Sequence, residues 1–491
     1  MTLRTLNAVH LRWNLAGAVL PALASLAAIP VVVRWLGPER FGLLAYCWLL
    51  VAYFSVFDLG LARALTRLAS ESLPNQGMRD LPGLLATSMS LMWSFALLGS
   101  TIVALLSPYA VDHWLRVPAH LRDEAIWSFW LTSVGLPFLI AAGGWRAILE
   151  ALGRFDLSNK VQIPLTILGT AAPIAALLFI DSLVAVSALL SVVRVVGWIV
   201  LRGIVLKVAP DLRCGAPNHV RWFRPLISFG GWATISNVVG PVMVYVDRLI
   251  IGGVISLAAV TYYVTSYELV TRAWALAGAV IGVLFPLLSS LLCVDNKLAR
   301  NAYRRALVGV YVLTLAPLAV LSLFAPEVLS FWLGVEFSAS ATDALRILAV
   351  GVLFNCLAQV SFTVLQAAGR TGLIAAIHVV EISPYVLMLL WLAEKFGISG
   401  VASAWTIRAM VDAFVMFGFA NRIIPESSRT LLGYQAVMAA TALLLAIGFW
   451  TEPIVLRSLL VAIILICCVV VLWHARREAA IDLPFGAGDA K

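Results

Sequence analysis

Residues 114–117 read WLRV, and the apolar stretch behind them ends at residues 149–154 with LEALGR. Residues 332–335 read WLGV, and their apolar stretch ends at residues 365–370 with LQAAGR. The second copy follows the first after about 216 residues, and such self-similarity at a fixed distance indicates an internal repeat. The alternative is chance similarity between two apolar segments.

The composition places this repeat in a membrane protein. Of the 491 residues, 62% are hydrophobic and only 12% are charged, whereas soluble domains are about 25% charged. The apolar runs are solid over about 20 residues, the length of a helix that crosses a bilayer. Strands of a membrane β-barrel would alternate over about 10 residues instead. We therefore predict an all-α integral membrane protein.

Hydropathy predicts about 14 transmembrane helices. Each copy of the repeat holds six of them, so both halves enter the membrane in the same sense and form parallel repeats, followed by two extra helices. The predicted spans lie near 13–35, 41–67, 81–109, 125–152, 159–180, 183–206, 225–251, 257–289, 304–326, 341–368, 373–394, 397–420, 431–449 and 454–473.

The repeat also predicts the domain organisation. We expect an N-terminal six-helix lobe at 1–207, a cytoplasmic linker at 208–224, a second six-helix lobe at 225–425, two peripheral helices at 426–473 and a cytoplasmic tail at 474–491.

The loops predict the orientation. About 22 of the 34 basic residues fall in alternate loops and the two terminal segments, and the positive-inside rule makes that side cytoplasmic. Both termini of this multi-pass membrane protein are therefore expected in the cytoplasm. The net charge of +9 mostly reflects this asymmetry, so a nucleic-acid partner is not expected.

Four stretches then resemble a known family. They are RWLGPERFGLLAYCWLL at 34–50, FDLGLARALTR at 57–67, VDRLIIGG at 246–253 and LQAAGRTG at 365–372. Together they resemble bacterial polysaccharide or O-antigen flippases, which belong to the multidrug/oligosaccharidyl-lipid/polysaccharide superfamily. The resemblance covers roughly residues 10–425.

The resemblance implies a transporter rather than an enzyme, with no cofactor. Its expected substrate is a polyprenyl-pyrophosphate-linked oligosaccharide, exported by alternating access of two six-helix lobes for O-antigen, capsule or exopolysaccharide synthesis. Membrane lipids, and glycosyltransferases and a polymerase of the same pathway, are the further expected partners.

Charged residues inside the spans are the candidate functional groups. In YYVTSYELVTRAWALAG at 262–278, Glu268 and Arg272 lie four residues apart. Each ionised side chain at the bilayer centre costs about 2.5–3.5 kcal/mol, so such residues are expected to face a wet cavity. Arginine is suited to a pyrophosphate because its planar fork binds phosphate oxygens bidentately. The candidate pyrophosphate ligands are Arg63, Arg146, Arg194, Arg248, Arg272 and Arg408.

Other polar residues complete the candidate site. Asn355 and Gln359 are suited to sugar hydroxyls or to an interhelical hydrogen bond. The candidates for ion coupling or charge pairing are Asp58, Asp247, Glu268 and Asp412, and spacing pairs Asp412 with Arg408. Each pair is alternatively a structural salt bridge. We interpret His378 and Glu381 as a structural polar pair.

Other functions remain open. A lipid II flippase and a cation-coupled multidrug antiporter of the same superfamily are the nearest alternatives. A membrane polymerase or ligase would need a large outer loop, and the longest predicted outer loop has about 15 residues. The sequence has no Walker A, HExxH or G-x-S-x-G motif, and its six cysteines show no CxxC spacing, so no metal site is expected.

Overall fold

The computed structural model of the chain contains helices, turns and loops. The chain forms two compact units, Met1–Thr261 and Tyr262–Lys491. The predicted lobe boundaries around 208–224 stay a prediction. All regular structure in the described residues is helical, which confirms the all-α fold class. The described residues are 3–56, 60–76, 79–214, 218, 220–227, 243, 245–292, 294–425, 440–441, 444–445 and 454–481.

The first unit contains the helices of the N-terminal half. They are α1 (Leu3–Val56), α2 (Leu61–Gln76), α3 (Leu81–Tyr109), α4 (Arg122–Ala151), α5 (Phe155–Leu177), α6 (Leu183–Val208) and α7 (245–250), which runs into a π-helical turn at Ile251–Ile255.

The second unit begins inside the next helix. Its helices are α8 (Leu257–Val270), α9 (Ala273–Leu291), α10 (Asn296–Leu323), α11 (Ala325–Leu333), α12 (Val335–Ala367), α13 (Thr371–Ile423) and α14 (Ile454–Ile481).

Within the described ranges, eight helices are long and apolar enough to cross a membrane. One of them, α13, is two helices joined at Gly397, whose φ of 58° is open to glycine but strained for other residues. Helix α1 is divided in the same way at Gly37, with φ 75°. Gly37 falls between the predicted spans 13–35 and 41–67, and Gly397 is the first residue of the predicted span 397–420. The predicted spans at 225–251 and 431–449 lie mostly outside the described residues.

The repeated LxAxGR motif forms the same turn in both units. Arg154 N–H donates to the Leu149 carbonyl at 2.8 Å, and Arg370 N–H donates to the Leu365 carbonyl at 2.9 Å. The glycine of each copy has a left-handed φ, 71° and 72° respectively. This pattern closes the end of a helix by satisfying its last carbonyls. The sequence repeat is therefore also a structural repeat.

The helices that precede these two turns are the central ones of their units. Helix α4 packs against α1, α2, α3, α5 and α6, and α12 packs against α9, α10, α11 and α13. The apolar stretch of α4 is 61% buried and that of α12 is 78% buried, more than in the other candidate spans of the described ranges. A helix that is apolar all round belongs in the interior.

Two predicted spans are interrupted. The predicted span at 41–67 ends at Val56, and after a turn with Gly60 at φ 66° the chain starts α2. Helix α2 is amphipathic, with Leu61 and Leu65 buried and Arg63 exposed. The predicted span at 257–289 breaks between α8 and α9. Hydropathy averages over such breaks and does not detect them.

The C-terminal helix α14 packs on the second unit. It contacts α10, and its Arg457 is only 5% exposed and pairs with Glu327 of α11 at 2.8 Å. Of the predicted helix before it, Thr441 shares a hydrogen bond with Tyr311 of α10 at 2.6 Å. Both contacts attach the extra C-terminal segment to the outer side of α10 and α11.

Candidate functional site

The predicted Glu268–Arg272 ion pair forms where the span breaks. Arg272 Nη2 donates to Glu268 Oε2 at 3.0 Å, and the side chains are 33% and 39% exposed. The Tyr267 carbonyl accepts from the Thr271 N–H at 3.0 Å and from the Thr271 hydroxyl at 2.8 Å, and the hydroxyl also lies 3.3 Å from the Glu268 carbonyl. Arg272 also stands at the start of α9, whose dipole adds positive potential there. Broken helices of this type present their N-termini to anionic substrates in transporters.

Arg194 is the candidate ligand whose charge is least compensated. It lies on α6 and packs against α4 at Gly135. A Cβ added at Gly135 would lie 3.0 Å from Arg194 Nη1. The glycine thus makes room for the guanidinium. Arg194 Nη1 is buried without a hydrogen-bond partner, and Arg194 forms no ion pair with any residue in the described ranges. A buried cation in this state has bonding capacity left for an anionic ligand.

Arg408, the counterpart of Arg194 in the repeat, lies in a cluster of titratable side chains on α13. Its guanidinium carbon is 5.3 Å from the centre of the Tyr385 ring. The predicted ion pair with Asp412 is not formed. Instead, Asp412 Oδ1 lies 3.8 Å from His378 Nε2. Asp412 is only 7% exposed, and its Oδ1 has no hydrogen-bond partner among the described residues.

Glu381 belongs to the same cluster. Both of its carboxylate oxygens are buried without hydrogen-bond partners among the described residues, so the predicted polar pair with His378 is not formed. The His378 ring instead stacks on Phe362 of α12, at 6.3 Å between ring centres. The sequence predicted a polar pair between His378 and Glu381. The signal that could have placed them with Asp412 was the turn at Gly397, which folds the second half of α13 back along the first.

Asp247 and Arg248 are packed into the first unit. Asp247 is fully buried, and its Oδ1 accepts a hydrogen bond from the Arg248 backbone N–H at 2.7 Å. The Arg248 guanidinium carbon lies 4.8 Å from the centre of the Tyr245 ring, and the Tyr46 hydroxyl donates to the Arg248 carbonyl at 2.7 Å. Arg248 is 7% exposed. These contacts hold α1 against α7, and they leave little of Arg248 accessible to a ligand.

The other predicted arginines are more accessible. Arg146 Nε lies 3.5 Å from Glu150 Oε1 on α4, with side chains 43% and 34% exposed. This is the pair expected from its spacing. Arg63 is exposed on α2. Asp58, its predicted neighbour, lies outside the described residues.

The side-chain amides of the two predicted residues, Asn355 and Gln359, form one hydrogen bond with each other. Gln359 Nε2 donates to Asn355 Oδ1 at 3.1 Å within α12. The bond is therefore within one helix rather than between helices. It leaves the Asn355 amino group and the Gln359 oxygen as further donors and acceptors for a hydroxyl-rich ligand.

In the described part of the chain, no group of three or more His, Cys, Asp or Glu side chains could hold a metal ion. Arg194, a cation with remaining bonding capacity, is suited to an anionic ligand.

Known proteins resemble the chain in sequence and in fold. Residues 31–342 match the family described as polysaccharide biosynthesis protein. A Shigella flexneri protein named "Putative O-antigen transporter" is 28% identical over 405 residues, which cover 82% of this chain and 95% of that protein.

Solved structures share the fold at low sequence identity. The lipid II flippase MurJ, in an inward closed conformation, has a TM-score of 0.73 at 11% identity, covering 94% of this chain and 99% of that chain. An inward-facing multidrug resistance MATE family transporter has a TM-score of 0.70 at 16% identity, covering 82% and 94%. These findings confirm the resemblance found in the sequence. The chain therefore belongs to the polysaccharide biosynthesis protein family, with the fold of the multidrug/oligosaccharidyl-lipid/polysaccharide superfamily.

Proposed function

We propose that this protein moves a polyprenyl-pyrophosphate-linked oligosaccharide from the cytoplasmic to the outer face of the bacterial inner membrane. It is a multi-pass membrane transporter rather than an enzyme. The proposed substrate combines a lipid chain, a pyrophosphate and a glycan. Each part requires a different kind of contact with the protein.

The observation that carries the proposal is the buried guanidinium of Arg194. A cation inside a membrane protein is normally paired or faces water, since its desolvation is costly. Arg194 Nη1 has no hydrogen-bond partner among the described residues, so a bound pyrophosphate oxygen would complete its bonding. Within the second unit, Arg272 combines a partly exposed guanidinium with the N-terminus of α9, an arrangement that is also suited to an anion.

Asp412 and Glu381 are proposed as the coupling groups. Asp412 Oδ1 lies 3.8 Å from His378 Nε2 without a hydrogen bond, and neither carboxylate oxygen of Glu381 has a hydrogen-bond partner among the described residues. Gain or loss of a proton or a small cation there would change the charge balance of α13. This would let the gradient of such an ion drive the return of the empty carrier.

The choice of substrate depends on the relatives. The match covers 95% of the Shigella flexneri relative, which is named "Putative O-antigen transporter", whereas the MurJ and MATE structures share the fold at 11% and 16% identity. Lipid II and a cationic drug are therefore the weaker alternatives. Several arginines and few uncompensated acids also favour an anionic substrate over a cationic one.

The test is transport by Arg194 variants. We expect Arg194→Gln to lower export of lipid-linked oligosaccharide about 10- to 100-fold, because a hydrogen bond to a charged group contributes about 1.5–3 kcal/mol. Arg194→Lys should recover only part of this, because the planar fork is lost. Export would be measured in sealed inverted vesicles by access of the glycan to a lumenal glycosidase.

The matched control is Arg67→Gln. Arg67 is exposed on α2 and forms a surface ion pair with Glu71 at 2.7 Å, so its loss should leave export unchanged. Membrane levels of all variants would be compared by immunoblot. Normal export by Arg194→Gln at normal protein levels would exclude Arg194 from the site. Transport of lipid II but not of the oligosaccharide would exclude the proposed substrate.

A further inference from the structure

A cavity of about 530 Å³ opens at the end of the first unit that is predicted to face the cytoplasm. Its walls come from the ends of α4 and α6 and from the 3-10 turn at Pro210–Cys214. The lining residues that matter here are Trp145, Ile199, Arg202, Gly203 and Arg213. None of them belongs to the proposed transport site.

The polar side chains that line this cavity are all donors. Arg202 and Arg213 are exposed, and neither forms an ion pair with a residue that the structure describes. Trp145 is only 8% exposed, yet its indole Nε1 has no hydrogen-bond partner among the described residues. Two guanidinium groups thus line one space, and an anion would satisfy both.

An apolar surface continues from the cavity. Val192, Val196 and Ile199 lie three or four residues apart on α6, so they share one face of the helix. They are 54%, 44% and 54% exposed, respectively, and Ile199 also lines the cavity. A ligand that fills the cavity and lies along this face would have an anionic head and apolar chains.

We propose that this cavity binds the phosphate head group of an anionic membrane phospholipid, with its acyl chains along the exposed face of α6. Basic pockets between transmembrane helices on the cytoplasmic side bind such head groups. The bound lipid would attach the 3-10 turn at Pro210–Cys214 to the end of α6. Inorganic phosphate and a polyprenyl pyrophosphate share the phosphate chemistry, so the experiment has to separate them from the phospholipid.

The experiment measures binding of phosphatidylglycerol to the purified full-length chain in detergent by native mass spectrometry. We expect the double variant Arg202→Gln, Arg213→Gln to bind about 30-fold more weakly, since each arginine near a membrane surface contributes about 1 kcal/mol. The control, Lys207→Gln with Arg224→Gln, removes two exposed charges from the same end of the unit but none from the cavity. It should bind like the unmodified chain. An equal loss in both double variants would overturn the proposal.

A second variant tests the cavity without changing its charge. A Cβ at Gly203 would meet no atom within 4 Å, and leucine is a better helix former than glycine, so Gly203→Leu should fold. Its side chain should fill the cavity and abolish phosphatidylglycerol binding, with the melting temperature of the lipid-free chain unchanged. Undiminished binding by Gly203→Leu would overturn the proposal.

Competitors identify the source of the phosphate. Phosphatidylcholine and inorganic phosphate should not displace phosphatidylglycerol, because the first has no net negative charge and the second has no acyl chain. Undecaprenyl pyrophosphate at an equal mole fraction should displace it only partly. Complete displacement by inorganic phosphate or by undecaprenyl pyrophosphate would overturn the assignment to a phospholipid.

Discussion

Pairing between charges inside the spans is decided by neighbours as well as by sequence spacing. Glu268 and Arg272 form the pair that their i,i+4 spacing predicts, at 3.0 Å. Arg408 and Asp412 have the same spacing, yet Asp412 lies nearer to His378, which comes from the other half of α13. Spacing therefore predicts which side chains share a helix face, whereas their partners depend on the helix that packs there.

The Glu268–Arg272 pair can be tested for its role. Glu268→Gln removes the carboxylate that Arg272 contacts and should destabilise the protein by about 1–3 kcal/mol, because a partly buried cation loses an acceptor. Export should fall as well. The double variant with Gln at 268 and Met at 272 should restore the melting temperature in detergent, since no unbalanced charge remains, but it should not restore export. Normal export by the double variant would show that the pair is only structural.

The sequence identified most of the candidate residues, but it did not predict how deeply each side chain is buried or which residues it contacts. It identified Arg194 from its position within an apolar span, but it could not show that Gly135 on another helix makes room for the guanidinium. It also treated Arg248 as accessible, whereas the structure surrounds it with Tyr245 and Tyr46. Burial of a side chain depends on contacts between helices distant in sequence, and a single sequence does not specify these contacts.

At the scale of helices and turns, the sequence predicted apolar segments well and their interruptions poorly. The turns at Gly37 and Gly397 were expected, because hydropathy drops there between two spans. The breaks at Gly60 and at residues 271–272 were not, because each falls inside an apolar run. A hydroxyl such as that of Thr271, which lies 3.3 Å from the Glu268 carbonyl, can satisfy a carbonyl at such a break locally, so the break needs no polar loop.

The repeated glycine turns give a prediction at this scale. Gly153→Ala and Gly369→Ala should each destabilise the protein by about 1–2 kcal/mol, because an L-residue is strained at the left-handed φ of these positions. No steric clash contributes, since a Cβ at either position would meet no atom within 4 Å. The measurement is the melting temperature of the purified protein in detergent.

The control for this prediction is Gly309→Ala. Gly309 lies within α10, where a Cβ would also meet no atom within 4 Å, so alanine should be neutral or slightly stabilising. The two turn variants should lose similar amounts, because their φ values and hydrogen bonds are nearly the same. If Gly369→Ala were as stable as Gly309→Ala, the turn would not contribute to stability as argued.

For the whole molecule, the distribution of basic residues predicts the orientation in the membrane. In a chain whose native cysteines are replaced by alanine, Asn218→Cys should be protected from an impermeant thiol reagent in intact cells, and so should Asp295→Cys. His120→Cys should react. The side chains at 218 and 120 are both exposed, so access to the thiol will depend on the side of the membrane and not on burial. Labelling of position 218 from outside would reverse the predicted topology.

The charge of the substrate and that of the arginines together predict how transport is driven. A pyrophosphate-linked substrate carries about two negative charges, and an interior-negative potential of 100 mV favours its outward movement by about 2.3 kcal/mol per charge. Without substrate, the positive charge of Arg194 has no ion-pair partner among the described residues, so the same potential favours return of the empty carrier. We therefore expect export in sealed vesicles to rise when this potential is imposed and to fall when it is clamped at zero.

The potential would be set with potassium gradients and valinomycin, with vesicle orientation checked by the thiol reagent. Arg194→Gln, Arg272→Gln and Arg408→Gln should each weaken the response of the residual export to potential, because each removes one charge from the returning carrier. The exposed-site variant Arg67→Gln should respond like the unmodified chain. Equal export rates at zero and at imposed potential would exclude this driving force, and coupling would then have to come from an ion bound at Asp412 and Glu381. A response of unchanged size in all three arginine variants would mean that the arginines do not carry the charge that the membrane potential acts on.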